Sequence, residues 1–256
     1  MTRLGALLLV LTMAGQARPA AQRTVTVAVA ANLKPAFEEI GSRFQASHPG
    51  VEVKAVYGAS GSFLAQISNG APFDLFLSAD ADFPAKAAAS GLADGKPFVY
   101  AYGRLVVWVP RNMTLDFSGK GLSALGDPAV QKIAIANPDL APYGRAARAA
   151  LIKAGLYDRL RDRIVMGESV AQTAQFAQSG NAQAAFLPLS LARTPPLSTD
   201  GQSWPVPPAS YDRIEQAGVI LKAAKEPALA HELAKFIQGV RGREVLEQFG
   251  YDLPAR

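Results

Sequence analysis

The run Val56-Tyr-Gly-Ala-Ser-Gly-Ser-Phe63 sets Ser60 in a Gly/Ser turn between an apolar strand and an apolar helix face. Phe63, Leu64 and Ile67 take up helical spacing directly after the turn. Ser60 is therefore expected at an N-cap, among the unpaired backbone N–H groups at the positive end of a helix. A strand, a small polar turn and a helix start together form a seat for an anion. A second seat lies upstream: Val25–Ala30 is a β-branched run, Ala31-Asn32 is the turn, and Leu33, Phe37, Ile40 and Phe44 have helical spacing. Two such seats so close in sequence predict a chain that holds an oxyanion.

Other chemistries fit these residues less well. A serine hydrolase with Ser60 as nucleophile needs glycine two positions before and two after the serine. Gly58 is present, but Ser62 stands where the second glycine belongs. The two histidines are His48, in a Ser47-His-Pro-Gly50 turn, and His231, on an amphipathic helix near the end; both are expected at the surface. Two distant histidines and no cysteine give no metal-ligand spacing. The turn also lacks the Gly-Lys-Ser/Thr ending of a phosphate-cradling P-loop, and no paired tyrosine run suited to ferric iron occurs.

The elements that must position these seats alternate. Strands are expected at Val25–Ala30, Val51–Tyr57, Leu75–Ser78, Leu105–Pro110, Ile133–Ala136, Ile164–Met166, Ala184–Leu187 and Ala217–Leu221. Helices are expected at Leu33–Ser47, Ser62–Asn69, Asp82–Ser90, Tyr143–Ala154, Tyr157–Asp162, Val170–Ser179, Pro227–Phe236 and Gly242–Phe249. Short apolar runs between amphipathic helices predict an α/β fold, with helices on both faces of mainly parallel sheets. The proline-rich stretch Thr194–Pro208 reads as a loop. No internal sequence repeat is visible. A crossing near Leu105 and a return after Pro208 would divide the chain into two lobes.

The 256 residues are 49% hydrophobic and 18% charged, an ordinary globular composition. Arg3, the apolar run Leu4–Ala14 and the small residues after it read as a secretory signal peptide over 1–22, cleaved between Ala17 and Ala21. No later segment approaches a membrane span, so a soluble mature protein is expected, located in the periplasm. The net charge of +5 includes Arg3 and Arg18, which leaves about +3 after processing. The basic clusters Arg159–Arg163 and Arg241–Arg243 read as solvated helix faces. No basic stripe with interleaved aromatics points to nucleic acid.

Several motifs, taken in order, resemble the periplasmic molybdate-binding proteins of ABC importers. They are Val27-Ala-Val-Ala-Ala-Asn-Leu33, Tyr57-Gly-Ala-Ser-Gly-Ser62, Gly70-Ala-Pro-Phe-Asp-Leu-Phe-Leu-Ser-Ala-Asp80 and Tyr102-Gly-Arg-Leu-Val-Val-Trp-Val109. Ile135-Ala-Asn-Pro-Asp-Leu-Ala-Pro-Tyr-Gly144, Gly167-Glu-Ser-Val-Ala-Gln172 and Phe249-Gly-Tyr251 continue the match over nearly the whole mature chain. The resemblance implies a two-lobed periplasmic-binding-protein fold of type II, with mixed sheets flanked by helices and the ligand cleft between lobes. Lobe one would comprise 23–104 and 213–256, and lobe two 105–212. It implies a binding protein without a cofactor and without enzymatic activity, a monomer that delivers molybdate, and tungstate as well, to an inner-membrane ABC permease.

The same resemblance places the ligand on Asn32 and Ser60 of lobe one, through side chains and backbone N–H groups. In lobe two it places the ligand on the backbone N–H groups of Tyr143 and Val170. No metal is implied beyond the molybdenum of the ligand. Where many members carry a tyrosine hydroxyl, this chain has Pro188, which offers neither N–H nor O–H. Asn32 stands where serine is common, and its amide NH₂ is expected to supply the lost donor. The physics is consistent with this ligand: a tetrahedral dianion without a proton suits a site of neutral donors. A monoprotonated phosphate would want a carboxylate acceptor, and an Arg or Lys would hold the anion at the expense of selection. Sulfate, of the same charge and shape, stays open as the alternative.

Overall fold

The computed structural model describes residues 22–255, so the signal peptide expected at 1–22 lies, except for its last residue, outside the described residues. The chain opens with β1 (Arg23–Ala30), a short 3-10 turn (Ala31–Leu33), α1 (Lys34–Ser47), β2 (Val51–Gly58), α2 (Ser60–Ser68), β3 (Leu75–Ser78), α3 (Asp82–Ala89) and β4 (Phe98–Gly103). It continues through β5 (Leu105–Pro110), α4 (Phe117–Lys120), β6 (Ile133–Ala136), α5 (Pro142–Lys153), α6 (Tyr157–Leu160), β7 (Ile164–Gly167) and α7 (Val170–Gln178). The remainder is β8 (Ala184–Pro188), α8 (Leu189–Ala192), α9 (Leu197–Asp200), β9 (Gly201–Pro205), β10 (Ile214–Ile220), α10 (Pro227–Gln238) and α11 (Val240–Gln248).

The strands form two five-stranded sheets, ordered β2-β1-β3-β10-β4 and β7-β6-β8-β5-β9. In the first, β1 pairs in parallel with β2 and β3, while β10 runs antiparallel to β3 and β4. In the second, β6 is parallel to β7 and β8, and β5 is antiparallel to β8 and β9. The α/β architecture and the mixed sheets match what the resemblance implies, while the mainly parallel sheets expected from the alternation alone are not found. The periodicity of a strand reports its burial and not its direction. The chain passes from the first sheet to the second through Arg104 alone, between β4 and β5, and returns between β9 and β10.

Helices cover both faces of each sheet. Val25, Val27 and Val29 of β1 point to one face and pack on Leu33, Phe37, Ile40 and Phe44, with Leu229, Leu233 and Ile237 of α10 beside them. The opposite face, through Ala28 and Phe76, packs on Phe63 of α2 and Phe83 of α3. Each large apolar side chain fully buried in this way stabilises the fold by roughly 1.5–3 kcal/mol. Edge strand β2 alternates, with Glu52 and Lys54 outward, which guards an open edge against pairing with another chain. In the second sheet, Ala147, Ala150 and Leu151 of α5 cover one face, and Ala174 and Ala177 of α7 the other.

Three local expectations are corrected. Leu33 belongs to the 3-10 turn and not to the helix, because Pro35 occupies the first turn of α1, where its missing N–H is harmless. The stretch Thr194–Pro208 contains α9 and β9. Strand β9 is held on the outer edge of β5 by Trp204, stacked on Phe117 with ring centres 4.6 Å apart. Strand β4 (Phe98–Gly103), which the alternation did not reveal, forms the edge of the first sheet opposite β2.

Candidate anion-binding site

Five chain segments meet at one small cavity, four of them at helix or turn starts and the fifth, at Ala79, just after β3. β1 leads into the turn carrying Asn32, β2 into α2 at Ser60, the loop after β6 into α5 at Pro142 and Tyr143, and β7 into α7 at Val170. These residues line the cavity with Ala30, Ala31, Gly58, Ala59, Ala79 and Ala141. Every one of them is neutral. The space open to the centre of a water-sized sphere is about 10 Å³, close to the roughly 10–15 Å³ that one such sphere needs. Pockets for organic ligands run to about 300–1,000 Å³, so this one admits only a compact inorganic species. A wider groove of about 400 Å³ lies outside it, between Asp80, Arg145, Arg213 and Glu215. Arg145 pairs with Asp80 and Arg213 with Glu215, and Asp82 and Asp212 also line the groove, so it is acidic on balance and does not attract an anion.

The sequence-predicted residues Asn32, Ser60, Tyr143 and Val170 are thus brought together, two from the first-sheet half and two from the second. Asn32 and Ser60 are 1% exposed and Tyr143 is 2% exposed. Among the described residues, no hydrogen bond reaches the backbone N–H of any of the four. The reason is positional. Ser60 and Val170 are the first residues of α2 and α7, Tyr143 is the second of α5, and Asn32 sits in a 3-10 turn. At those positions the acceptor four residues back lies outside the helix. Each helix also carries the equivalent of about half a positive charge at this end. Three helix starts therefore concentrate positive potential and free donors on one point without any cationic side chain.

Ser60 is not the N-cap that its sequence context suggests. Ala59 caps α2, and Ser60 begins the helix. Its Oγ accepts from the Ala79 N–H at 3.0 Å, which leaves its single hydroxyl proton available to donate. Ser169 does cap α7, accepting from the Gln172 N–H at 3.4 Å.

Asn32 departs further from expectation. Its Nδ2 donates to Gln216 Oε1 at 2.7 Å and to Tyr251 Oη at 2.9 Å. Both amide hydrogens are therefore engaged, and the NH₂ does not stand in for a hydroxyl missing at Pro188. Asn32 Oδ1 is buried with no partner among the described residues. Pro188 ends β8 and caps α8. Close by, Ser190 Oγ donates to the Asn32 carbonyl at 2.8 Å. Tyr251 Oη lies 2.9 Å from that carbonyl and 3.1 Å from Ser190 Oγ. A tyrosine hydroxyl thus reaches this corner from the C-terminal segment, as a support for Asn32. Sequence reasoning missed Gln216, Ser190 and Tyr251 as parts of the site. The only signal was Tyr251 at the end of a recognised motif.

Burial pushes the hydroxyls of Tyr100 and Tyr143 well above the ordinary tyrosine range. It also raises Tyr251, against its hydrogen bonds with Ser190 and Asn32, which pull it down. All three therefore stay neutral around the cavity at physiological pH. Neither His48, stacked on Phe44 at 4.0 Å, nor His231, 3.3 Å from Asp94, lines the cavity with Ser60.

Two mixed sheets with helices on both faces, joined by two crossings and closing on a donor-lined cavity, define the periplasmic-binding-protein class of α/β fold. The chain belongs to the bacterial extracellular solute-binding protein family, whose profile matches residues 25–252. It is 39% identical to the molybdate-binding protein ModA of Rhodobacter capsulatus over 97% of this chain and 96% of that one. It is 38% identical to ModA of Azotobacter vinelandii over 90% of each. The structure superposes on the Azotobacter vinelandii periplasmic molybdate-binding protein with a TM-score of 0.84 at 34% identity, covering 90% of this chain and all of that one.

Proposed function

We propose that this protein captures molybdate, and tungstate with it, in the periplasm and delivers it to an inner-membrane ABC importer. The observation that carries the reading is the convergence of four unpartnered backbone N–H groups and the Ser60 hydroxyl on a cavity sized for one compact ion. The relatives named as molybdate-binding proteins support the same ligand. In this reading Asn32, Ser60, Tyr143 and Val170 are the ligand-binding residues. The backbone N–H groups of all four and the Ser60 O–H donate to the oxyanion. Residues 23–104 with 213–256 form one lobe and 105–212 the other, and the two close on the ion.

The selection logic follows from the donor set. A dianion with no proton can accept from every donor and needs no acceptor in return. Hydrogen bonds to a charged group are each worth roughly 1.5–3 kcal/mol, so a handful supports tight binding after the cost of closure. The protein works as a carrier and not as an enzyme, as a monomer, and without a resident cofactor. Titration calorimetry with molybdate, tungstate, sulfate and phosphate tests this. Molybdate and tungstate are expected to bind tightly and phosphate not at all. Sulfate binding more tightly than molybdate, or phosphate binding alone, would overturn the reading.

A further inference from the structure

Gln216 lies on β10 and is fully buried, at 0% exposure. The register of β10 against β4 slips between Gln216 and Ala217, the kind of irregularity that re-aims a side chain. The carboxamide aimed by this slip joins both first-half seats of the cavity. Its Nε2 donates to the Ala79 carbonyl at 3.2 Å, and its Oε1 accepts from Asn32 Nδ2 at 2.7 Å. The Ala79 N–H in turn holds Ser60 Oγ at 3.0 Å. Gln216 itself is not among the residues lining the cavity.

The polarity of this chain of bonds is forced. The Ala79 carbonyl can only accept, so Gln216 must turn its Nε2 to it and its Oε1 to Asn32. Asn32 must then present its NH₂ to Gln216 and leave Oδ1 as the unbonded end. Without Gln216 the Asn32 amide could turn over, and Ala79, whose N–H fixes Ser60, would lose the partner of its carbonyl in the next peptide unit. We infer that Gln216 is a positioning residue of the anion site: it sets the orientation of Asn32 directly and that of Ser60 through Ala79, whose carbonyl it holds and whose N–H bonds Ser60. The inference deepens, and rests on, the oxyanion-binding reading above.

The ionisable groups around Gln216 are the hydroxyls of Tyr100 on β4, Tyr143 on α5 and Tyr251 near the C-terminus, and Asp80 after β3, which is paired with Arg145. Its strand neighbours Glu215 and Arg213 pair with each other at 2.9 Å. The three tyrosines are raised by burial and hold their protons throughout the neutral range.

The test compares the parent with Gln216→Met and Gln216→Glu by calorimetric titration with molybdate from about pH 5.5 to about pH 8.5, with thermal melts to report folding. The parent's affinity is expected to stay level. Gln216→Met removes both hydrogen bonds without adding charge and is expected to weaken binding about tenfold or more at every pH. Gln216→Glu is expected to bind like the parent at the acid end, where a protonated carboxyl keeps one donor and one acceptor. Its affinity should then fall as the pH rises and that donor is lost. A folded Gln216→Met chain with the parent's affinity, or a Gln216→Glu chain with a level, parent-like profile, overturns the inference. If Gln216→Met does not fold, the Gln216→Glu profile decides. If the parent binds no molybdate, the functional reading fails, and the Asn32 side-chain N–H resonances of Gln216→Glu still decide. They should move with pH where the parent's do not, and invariance overturns the inference.

Discussion

The Gly61 N–H of the first-sheet half donates to the Leu140 carbonyl of the second at 2.9 Å, one residue along the helix from Ser60. A β-carbon on Gly61 would lie 3.1 Å from Leu140 Cα and 3.2 Å from its carbonyl oxygen, both backbone atoms. The glycine lets the two halves meet beside the cavity. Gly61→Ala is therefore expected to weaken anion binding by holding the halves apart. Its fold should be unharmed, since alanine is favoured over glycine in a helix by up to about 1 kcal/mol. Calorimetry and a melting curve on one sample check this. Parent-like affinity would show that the contact adapts.

Arg145 of α5 bridges to Asp80 across the same cleft and also lies 3.7 Å from Asp82. Asp80 has other partners on its own side, the Ser78 hydroxyl at 2.9 Å and the Phe83 N–H at 3.1 Å. Losing Arg145 therefore leaves Asp80 satisfied and removes the bridge together with the guanidinium stacked 5.4 Å from the centre of the Phe83 ring. The arginine side chain is 40% exposed, so the bridge is worth at most about 1 kcal/mol. Arg145→Gln should speed ligand release about two- to fivefold, with a smaller difference at high salt. Stopped-flow dissociation measures it. An unchanged rate at low salt would remove Arg145 from the closing contacts.

Ser60→Ala has two consequences that can be separated. Losing a donor to a charged ligand should weaken binding by about 10- to 150-fold. Losing the acceptor of the buried Ala79 N–H should lower stability by about 1–3 kcal/mol. Urea unfolding without ligand isolates the second. A stability loss with affinity intact would make Ser60 purely a support for Ala79.

The buried tyrosines set an alkaline limit. Tyr100, Tyr143 and Tyr251 have folded pKa values raised by burial, against about 10 in the unfolded chain. Above about pH 10 the unfolded chain loses protons that the folded chain keeps. The stability from these groups is thus complete below that pH and is lost as the pH rises toward the folded values. The slope is about 1.4 kcal/mol per pH unit for each tyrosine. Urea midpoints should decline steeply above about pH 10, and Tyr100→Phe should flatten the decline. A pH-independent midpoint there would contradict it.

Much of the fold was legible because β1, β3, β5, β6 and β8 are short apolar runs, and helices such as α1 and α7 show one apolar stripe. The outer strands β4 and β9 were not, because Phe98–Gly103 is apolar on both sides and Gly201–Pro205 lacks alternation altogether. Strand direction was hidden for the same reason that β10 looked like any other apolar run. At the site, the turns of Asn32 and Ser60 could be read because a strand running into a helix start has a local signature, whereas Tyr143 and Val170 were placed only by the family resemblance. Gln216 and Ser190 could not be read. Their role depends on contacts 184 and 158 residues away in sequence, which no local pattern records.

The central claim is that backbone donors at helix starts hold the oxyanion. Amide ¹H–¹⁵N spectra recorded during a molybdate titration test it directly. The N–H resonances of Asn32, Ser60, Tyr143 and Val170 are expected to move strongly downfield together, as each gains a charged acceptor. Saturable molybdate binding that leaves those four resonances in place would contradict it.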